Sequence, residues 1–191
     1  MHFLSRIYQN PLLLEHELTR IFEAHELVSF GKGDFLLKNG QIADAYYCIK
    51  NGLVRSYVYN FDGDDITTDF IGVDGIAIDV VSLFTQVPAI ENIQAVTDVE
   101  CYKIKLKDFQ ELYHSMKGLS EWGRAWMSEN LFKQKLRSLT MITDSASSRY
   151  EQLVATNPEV IQQAPLKNIA SYLGITDTSL SRIRKESALQ R

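Results

Sequence analysis

Near Lys107 the spacing of apolar residues changes, and that change constrains the fold more than any other feature of the chain. Between residues 26 and 106, short aromatic and β-branched runs recur: Phe35-Leu-Leu, Tyr46-Tyr-Cys-Ile, Leu53-Val-Arg-Ser-Tyr-Val-Tyr, Ile66-Thr-Thr-Asp-Phe-Ile and Val99-Glu-Cys-Tyr-Lys-Ile. Gly31, Gly33, Asn39-Gly40, Asn51-Gly52, Asp62-Gly63 and Asp74-Gly75 break them. Several short strands at regular spacing predict a sandwich or barrel, and Asp62-Gly63 between two such runs is the best hairpin signal. From residue 107 onward the sequence is mostly helix-forming. The expected helices cover about 107–115, a longer stretch from about 119, and 144–155, the last capped by Asp144 or Ser145 and followed by a loop at Asn157-Pro158. A leading helix is expected over 11–24, with Leu14, Leu18, Ile21 and Phe22 on one side.

The longer helix carries Trp122, Ala125, Trp126, Phe132, Leu136 and Leu139 along one stripe. Such a stripe needs a partner. The β domain of the same chain would serve, but a seam between two copies of the chain is the reading we adopt for Trp122, Trp126, Phe132, Leu136 and Leu139.

The last stretch, from Pro165 to Lys185, reads as two short helices around a glycine turn. Ile169, Ala170 and Leu173 point inward from the first, Gly174 supplies the turn, and Leu180 and Ile183 return inward from the second. Pro165 fits the first turn of a helix, Thr176 is a natural N-cap, and Asp177 suits the positive end of the helix dipole. An ordinary helical hairpin packed on a larger domain would show the same spacing. The outer face, however, holds Ser179, Ser181, Arg182, Arg184 and Lys185, whose hydroxyls and cations suit phosphates and base edges. This is how a small domain places a helix in the DNA major groove.

Composition sets the outer limits. The chain has 191 residues, 45% hydrophobic and 23% charged, as expected of a folded protein. No apolar run approaches the roughly 20 residues of a membrane span and no signal segment opens the sequence, so a cytoplasmic location without a membrane partner is expected. Cys48 and Cys101 lie in strand-like runs and read as buried reduced thiols. The net charge of −4 is uneven: residues 166–191 hold five basic residues (Lys167, Arg182, Arg184, Lys185, Arg191) against two acidic ones (Asp177, Glu186), a balance of +3 that leaves −7 for the rest. That asymmetry is a modest electrostatic footprint for nucleic acid.

The order β domain, long helix, helix-turn-helix resembles the Crp/Fnr superfamily of bacterial transcription regulators over nearly the whole chain. Gly40 followed by Ala45-Tyr-Tyr-Cys-Ile-Lys-Asn-Gly-Leu-Val-Arg55 is similar to the turn-strand-turn segment of the cyclic-nucleotide-binding β-roll. The Asp62-Gly63 hairpin, Ser82-Leu-Phe84 and the strand Ile93-Gln-Ala-Val-Thr97 fall in the expected places, and the C-terminal segment resembles the family's DNA-reading motif more closely still. The resemblance implies an α+β chain. Its parts would be a β-roll (double-stranded β-helix, jelly-roll-like) sensor over 1–116, a linker and dimerisation helix over 117–143, and a helix-turn-helix DNA-binding domain over 144–191. It also implies a homodimer that reads a palindromic operator in double-stranded DNA, with RNA polymerase as a candidate partner.

The departures from the family pattern matter equally. Members that bind cyclic AMP hold the ribose with a glutamate and the cyclic phosphate with an Arg-Ser pair. Here Val80, beside Asp79, falls at the glutamate position and Ala89-Ile90 fall at the Arg-Ser pair, with Glu91 adjacent and no arginine between Arg55 and Arg124. A buried phosphate without such donors loses its hydration unpaid, so cyclic AMP is not the expected effector. Two cysteines cannot hold the oxygen sensor's iron-sulfur cluster, and His2, His16, His25 and His114 lie outside the strands where a haem would need them. The expected effector pocket is lined by Tyr47, Ile49, Phe70, Ile78, Asp79, Val80, Ala89 and Ile90, together with Ile76. It would suit an apolar or uncharged ligand, and a filled core with no ligand is an equally simple reading.

At the DNA end the expected contacts are Arg182 to a guanine, Lys167, Arg184 and Lys185 to phosphate, Ser179 and Ser181 to either, with Thr176, Asp177 and Thr178 at the start of the recognition helix. The chain stops at Arg191, which leaves no room for the β-hairpin wing of many relatives and predicts weaker, more dimer-dependent binding. Two other readings stand: a sensing or protein-interaction β-roll without DNA binding, and a cupin-like enzyme. The enzyme would need two histidines and a carboxylate together on strands, and the sequence has no such cluster, no Gly-rich phosphate loop and no Gly-x-Ser-x-Gly elbow. No catalytic residue, metal or resident cofactor is therefore expected.

Overall fold

The computed structural model describes residues 2–189, with side chains to Ser187. Arg191, which enters the basic balance and marks the expected absence of a wing, lies outside the described residues.

Eight strands fold as two four-stranded antiparallel sheets. One has the order β1 (Glu26–Phe30), β8 (Val99–Lys105), β3 (Ala45–Asn51), β6 (Ile76–Ala77); the other has β2 (Phe35–Leu37), β7 (Asn92–Ala95), β4 (Val54–Tyr59), β5 (Asp65–Ile71). Their facing sides share one apolar core that includes Leu37, Ile49, Val54, Ile71, Ala77 and Ile93. The β4–β5 hairpin turns at the expected Asp62-Gly63, where Gly63 has φ +84° and the Asn60 carboxamide accepts from the Asp64 N–H at 2.8 Å. Cys48 pairs across the ladder with Tyr102, and Cys101 with Ile49, so the two thiols point to opposite faces of one sheet. Both are buried and unbridged, and burial pushes each thiol up to about 12.

Helices cover the outside of the first sheet. α1 (Glu15–Glu23) is shorter than expected because Leu14 precedes it, its N–H donating to the Glu17 carboxylate at 2.9 Å. After β6 comes α2 (Val80–Thr85), and after β8 come α3 (Leu106–Ser115) and the long α4 (Lys117–Thr143). Tyr8, from the segment before α1, lies under α4 in a polar chain of three rings. Its hydroxyl is 2.9 Å from His25 Nε2 and 2.7 Å from the Tyr46 hydroxyl, while His25 Nδ1 is 2.7 Å from the Ile21 carbonyl. A carbonyl can only accept, so Nδ1 carries the proton and Nε2 accepts from Tyr8. Burial holds His25 down at about 4, so the ring is neutral at ordinary pH.

α4 does not present the single stripe expected of it. Trp122 faces the β-roll, 7% exposed, with its indole N–H donating to the Ile7 carbonyl at 2.8 Å and its ring 4.5 Å from Tyr8; Trp126 packs beside it. At 100° per residue Leu136 comes within about 40° of Trp122, so the tryptophans differ from the later residues in their place along the helix, with about 15 Å between Trp126 and Leu136. Phe132, Leu136 and Leu139 are 66%, 61% and 43% exposed, and with Leu131 and Ile142 they leave the later turns of α4 with uncovered apolar side chains. Trp122 is therefore a residue of the β-roll core, and Trp126 is half-buried against the same core.

The C-terminal unit consists of α5 (Ala146–Thr156), α6 (Pro158–Gln163), α7 (Leu166–Tyr172) and α8 (Asp177–Leu189). Ser145 caps α5 by accepting from the Ser148 N–H at 3.1 Å. The Asn157-Pro158 pair, expected to be a loop, opens α6, with the proline in the first turn where a missing N–H costs nothing. Pro165 is the extended residue that caps α7, one place earlier than expected. Tyr150, Leu153, Val160, Ile169, Leu173 and Leu180 form a second core that also takes in Leu53, Phe70 and Val96 of the β-roll. Among the described residues no helix is long and apolar enough to cross a membrane.

Candidate functional site

The helix pair α7–α8 is built as the sequence predicts. Ile169, Ala170, Leu173, Leu180 and Ile183 are all buried between the helices. Gly174 turns the chain at φ +67°, a conformation that costs a side-chain-bearing residue, and the Ile175 N–H reaches back to the Ala170 carbonyl at 3.0 Å. Thr176 caps α8, its hydroxyl accepting from the Ser179 N–H at 3.2 Å and lying 3.0 Å from the Ser179 hydroxyl. Asp177 stands in the first turn of α8.

With Leu180 and Ile183 inward, the helical repeat leaves Asp177, Thr178, Ser181, Arg182 and Lys185 together on the exposed face. Among the described residues Arg182 is held by a 3.9 Å ion pair to Glu186 with both side chains more than half exposed, a contact worth little and readily exchanged. Three expected contact residues are placed differently. The half-buried Ser179 shares its hydroxyl with the cap. Arg184 sits on the flank, beside Tyr150, Val154 and Ile161. Lys167 pairs with Asp65 of β5 at 3.5 Å.

That last contact belongs to a dock between α7 and the outer face of β5. Arg55 is 6% exposed, bridges Asp65 at 2.8 Å and Gln94 at 3.1 Å, and lies over the Tyr57 ring. The Ser171 hydroxyl is 3.2 Å from both the Thr67 N–H and the Thr67 hydroxyl, and Tyr172 packs edge-on against Phe70. From α4, Arg137 donates to the Tyr172 carbonyl at 2.8 Å and covers its ring at 3.7 Å. Sequence reasoning did not find this dock, because a lone arginine or serine on a helix carries no pattern.

The expected effector pocket is not one pocket. Strand residues alternate faces, so Tyr47 and Ile49 point into the roll while Ile76, which pairs with Cys48, points out, as does Ile78. Tyr47 is packed there, its hydroxyl donating to the Leu36 carbonyl at 3.3 Å. Phe70 faces the C-terminal unit. Asp79 caps α2 by accepting from the Ser82 N–H at 2.9 Å, and Ala89 is buried with its backbone paired to Gly40 and Gln41. Val80 and Ile90 are exposed. Around this segment the charge is negative: burial, and then the Asp79 and Asp69 carboxylates, hold Glu91 above the usual carboxylate range. Burial likewise raises Asp69, against the Phe70 N–H and the cations of Arg137 and Lys133.

Residues 27–116 match the family model described as the cyclic nucleotide-binding domain. Among solved structures, FixK2 from Bradyrhizobium japonicum aligns with a TM-score of 0.73 at 16% identity, covering 87% of this chain and 85% of that one. A protein described as a Crp/Fnr-family transcriptional regulator from Eubacterium rectale aligns with a TM-score of 0.71 at 14% identity, over 96% and 88%. The c-di-GMP-responsive global regulator CLP of Xanthomonas campestris gives 0.70 at 13%, over 92% of each chain. No curated protein matches the chain. The chain therefore has the fold of the Crp/Fnr-type regulators, with a β-roll at residues 27–116 that matches the cyclic nucleotide-binding domain.

Proposed function

We propose that this protein is a dimeric, sequence-specific DNA-binding transcription regulator of the Crp/Fnr type. The observation that carries the reading is α8: a helix capped by Thr176, seated on α7 by Leu180 and Ile183, with Ser181, Arg182 and Lys185 on its open side. Arg182 is the residue assigned to a guanine and Lys185 to phosphate, while Arg184 and Lys167 contribute at the flanks. The exposed face of Phe132, Leu136 and Leu139 supports pairing through α4, which would set two recognition helices on one side of the duplex. RNA polymerase remains a candidate partner of the DNA-bound dimer, and the cytoplasm its expected place.

The same reading does not take cyclic AMP for the effector. At the segment where relatives bind the phosphate, Ala89 is buried, Asp79 and Glu91 supply like charge and the segment itself carries no arginine, so an entering phosphate would meet repulsion there without a guanidinium from its own loop. The test of the DNA reading is selection of bound duplexes from a random pool by the purified protein. The expected product is an inverted repeat whose half-sites lie about one helical turn apart. Recovery of unenriched sequence would refute it. Calorimetry with cyclic AMP and cyclic GMP tests the effector statement, and micromolar binding of either would refute that part alone.

A further inference from the structure

We propose that the cavity bounded by α2, α3, α4 and the outer face of β3 and β6 binds an uncharged aromatic molecule of one or two rings. The inference deepens the regulator reading by placing an effector site against the long helix, outside the β-roll interior that the fold's cyclic-nucleotide chemistry would use. The cavity has a volume of about 230 Å³. An apolar void of about 150 Å³ already accommodates benzene, so the space suits a small fused or substituted ring.

Its chemistry is read from the walls. Ile76 and Ile78 form the strand side, and they stand on the opposite face of the sheet from Tyr47 and Ile49. Aromatic rings come from four elements: Tyr46, Phe84, the Phe109–Tyr113 pair with centroids 5.3 Å apart, and Trp122 with Trp126. Gly123 has its own reason to be there, since a Cβ on it would lie 2.7 Å from the Tyr113 ring. Edges and faces of rings at these separations attract a further ring more specifically than they attract an alkyl chain. No carboxylate, lysine or arginine is among the lining residues, and His114 and Gln110 sit on the solvent side of α3, so the ligand is uncharged and makes one or two polar contacts at its outer end. Phe84 and Met127, 42% and 48% exposed, flank the mouth. A ring held between Phe109 and Trp126 would bear directly on α4, whose far half carries Phe132 and the Arg137 contact to Tyr172.

Indole is the probe, added to the full chain labelled with ¹³C at its methionine methyls and with no DNA present. The Met127 signal, assigned with Met127→Leu, is expected to shift saturably, whereas that of Met141, which lies beside Gly174, stays in place. Ile78→Trp fills the cavity and should weaken indole binding by about tenfold or more. Met127→Trp obstructs the mouth from an exposed position where folding is not at stake, and it should do the same. The proposal is overturned by the absence of a saturable Met127 shift at millimolar indole, by unchanged affinity in Met127→Trp, or by decanoate binding in place of indole. Because the readout is independent of DNA, a protein that binds indole but selects no operator would refute the regulator reading and leave the cavity assignment standing.

Discussion

His25 provides a quantitative test of the packing around α4. In the folded chain it is neutral, donating from Nδ1 to Ile21 and accepting at Nε2 from Tyr8, and burial holds it at about 4. Unfolded, the ring titrates near 6.5. A group whose folded pKa is depressed contributes its stabilisation above the unfolded value and loses it as pH falls toward the folded one. Between about pH 6.5 and 4, therefore, the unfolded chain binds the proton and the folded chain does not. A gap of roughly 2.5 units is worth about 3 kcal/mol, and the ring's partial exposure reduces this to about 2–3 kcal/mol. Urea unfolding followed by tryptophan fluorescence reads this directly, because Trp122 lies 4.5 Å from Tyr8. Raised carboxylates such as Asp69 and Glu91 act in the opposite sense, since their cost is relieved as pH falls. The comparison is accordingly made against His25→Gln, which keeps an acceptor for Tyr8 but cannot titrate. Wild type should lose about 2–3 kcal/mol more than the variant between pH 7 and pH 4. Parallel curves for the two proteins would refute the neutral, buried assignment of His25.

Three further outcomes are expected. Phe132→Asp places a charge in the exposed face of α4 and should convert the proposed dimer to monomers in sedimentation velocity; an unchanged oligomer would remove that face from the interface. Arg137→Ala deletes both the hydrogen bond to Tyr172 and the cover over its ring, costing about 1–2 kcal/mol at the dock. Faster amide exchange confined to α7 and β5, with α1 unaffected, is the expected signature, and unchanged exchange in α7 would show that Arg137 does not hold the dock. Cys48 and Cys101 should react with a thiol reagent only as fast as the β-roll opens, because burial raises both thiols; rapid reaction of either in the native protein would contradict their burial.

Much of this arrangement is legible in the sequence where local physics decides it. Asp62-Gly63 turns the chain because a hairpin needs φ above zero there, and Thr176 caps α8 because its hydroxyl reaches the third N–H of the helix. The pocket could not be read in the same way. Ala45-Tyr-Tyr-Cys-Ile is apolar throughout, since both faces of β3 are covered, and a strand without alternation does not reveal which residues face inward. The sequence therefore gives no reason to separate Tyr47 from Ile78, which lie on opposite faces. α4 failed for a related reason: its first turns are covered by the β-roll at Trp122 while its later turns are open at Phe132, and one long apolar stripe does not show where the cover ends. The dock of α7 on β5 rests on contacts such as Ser171 to Thr67, which are 104 residues apart in sequence and leave no local trace.

In the proposed regulator α8 reads DNA through Arg182. Fluorescence anisotropy with the selected duplex compares wild type and Arg182→Ala across a salt series. The variant should lose about 1–3 kcal/mol of binding and accept substitutions at one base pair of each half-site, whereas Lys185→Ala weakens all sequences alike and reduces the salt slope by about one. Binding by Arg182→Ala with the affinity and base preference of wild type would contradict the claim.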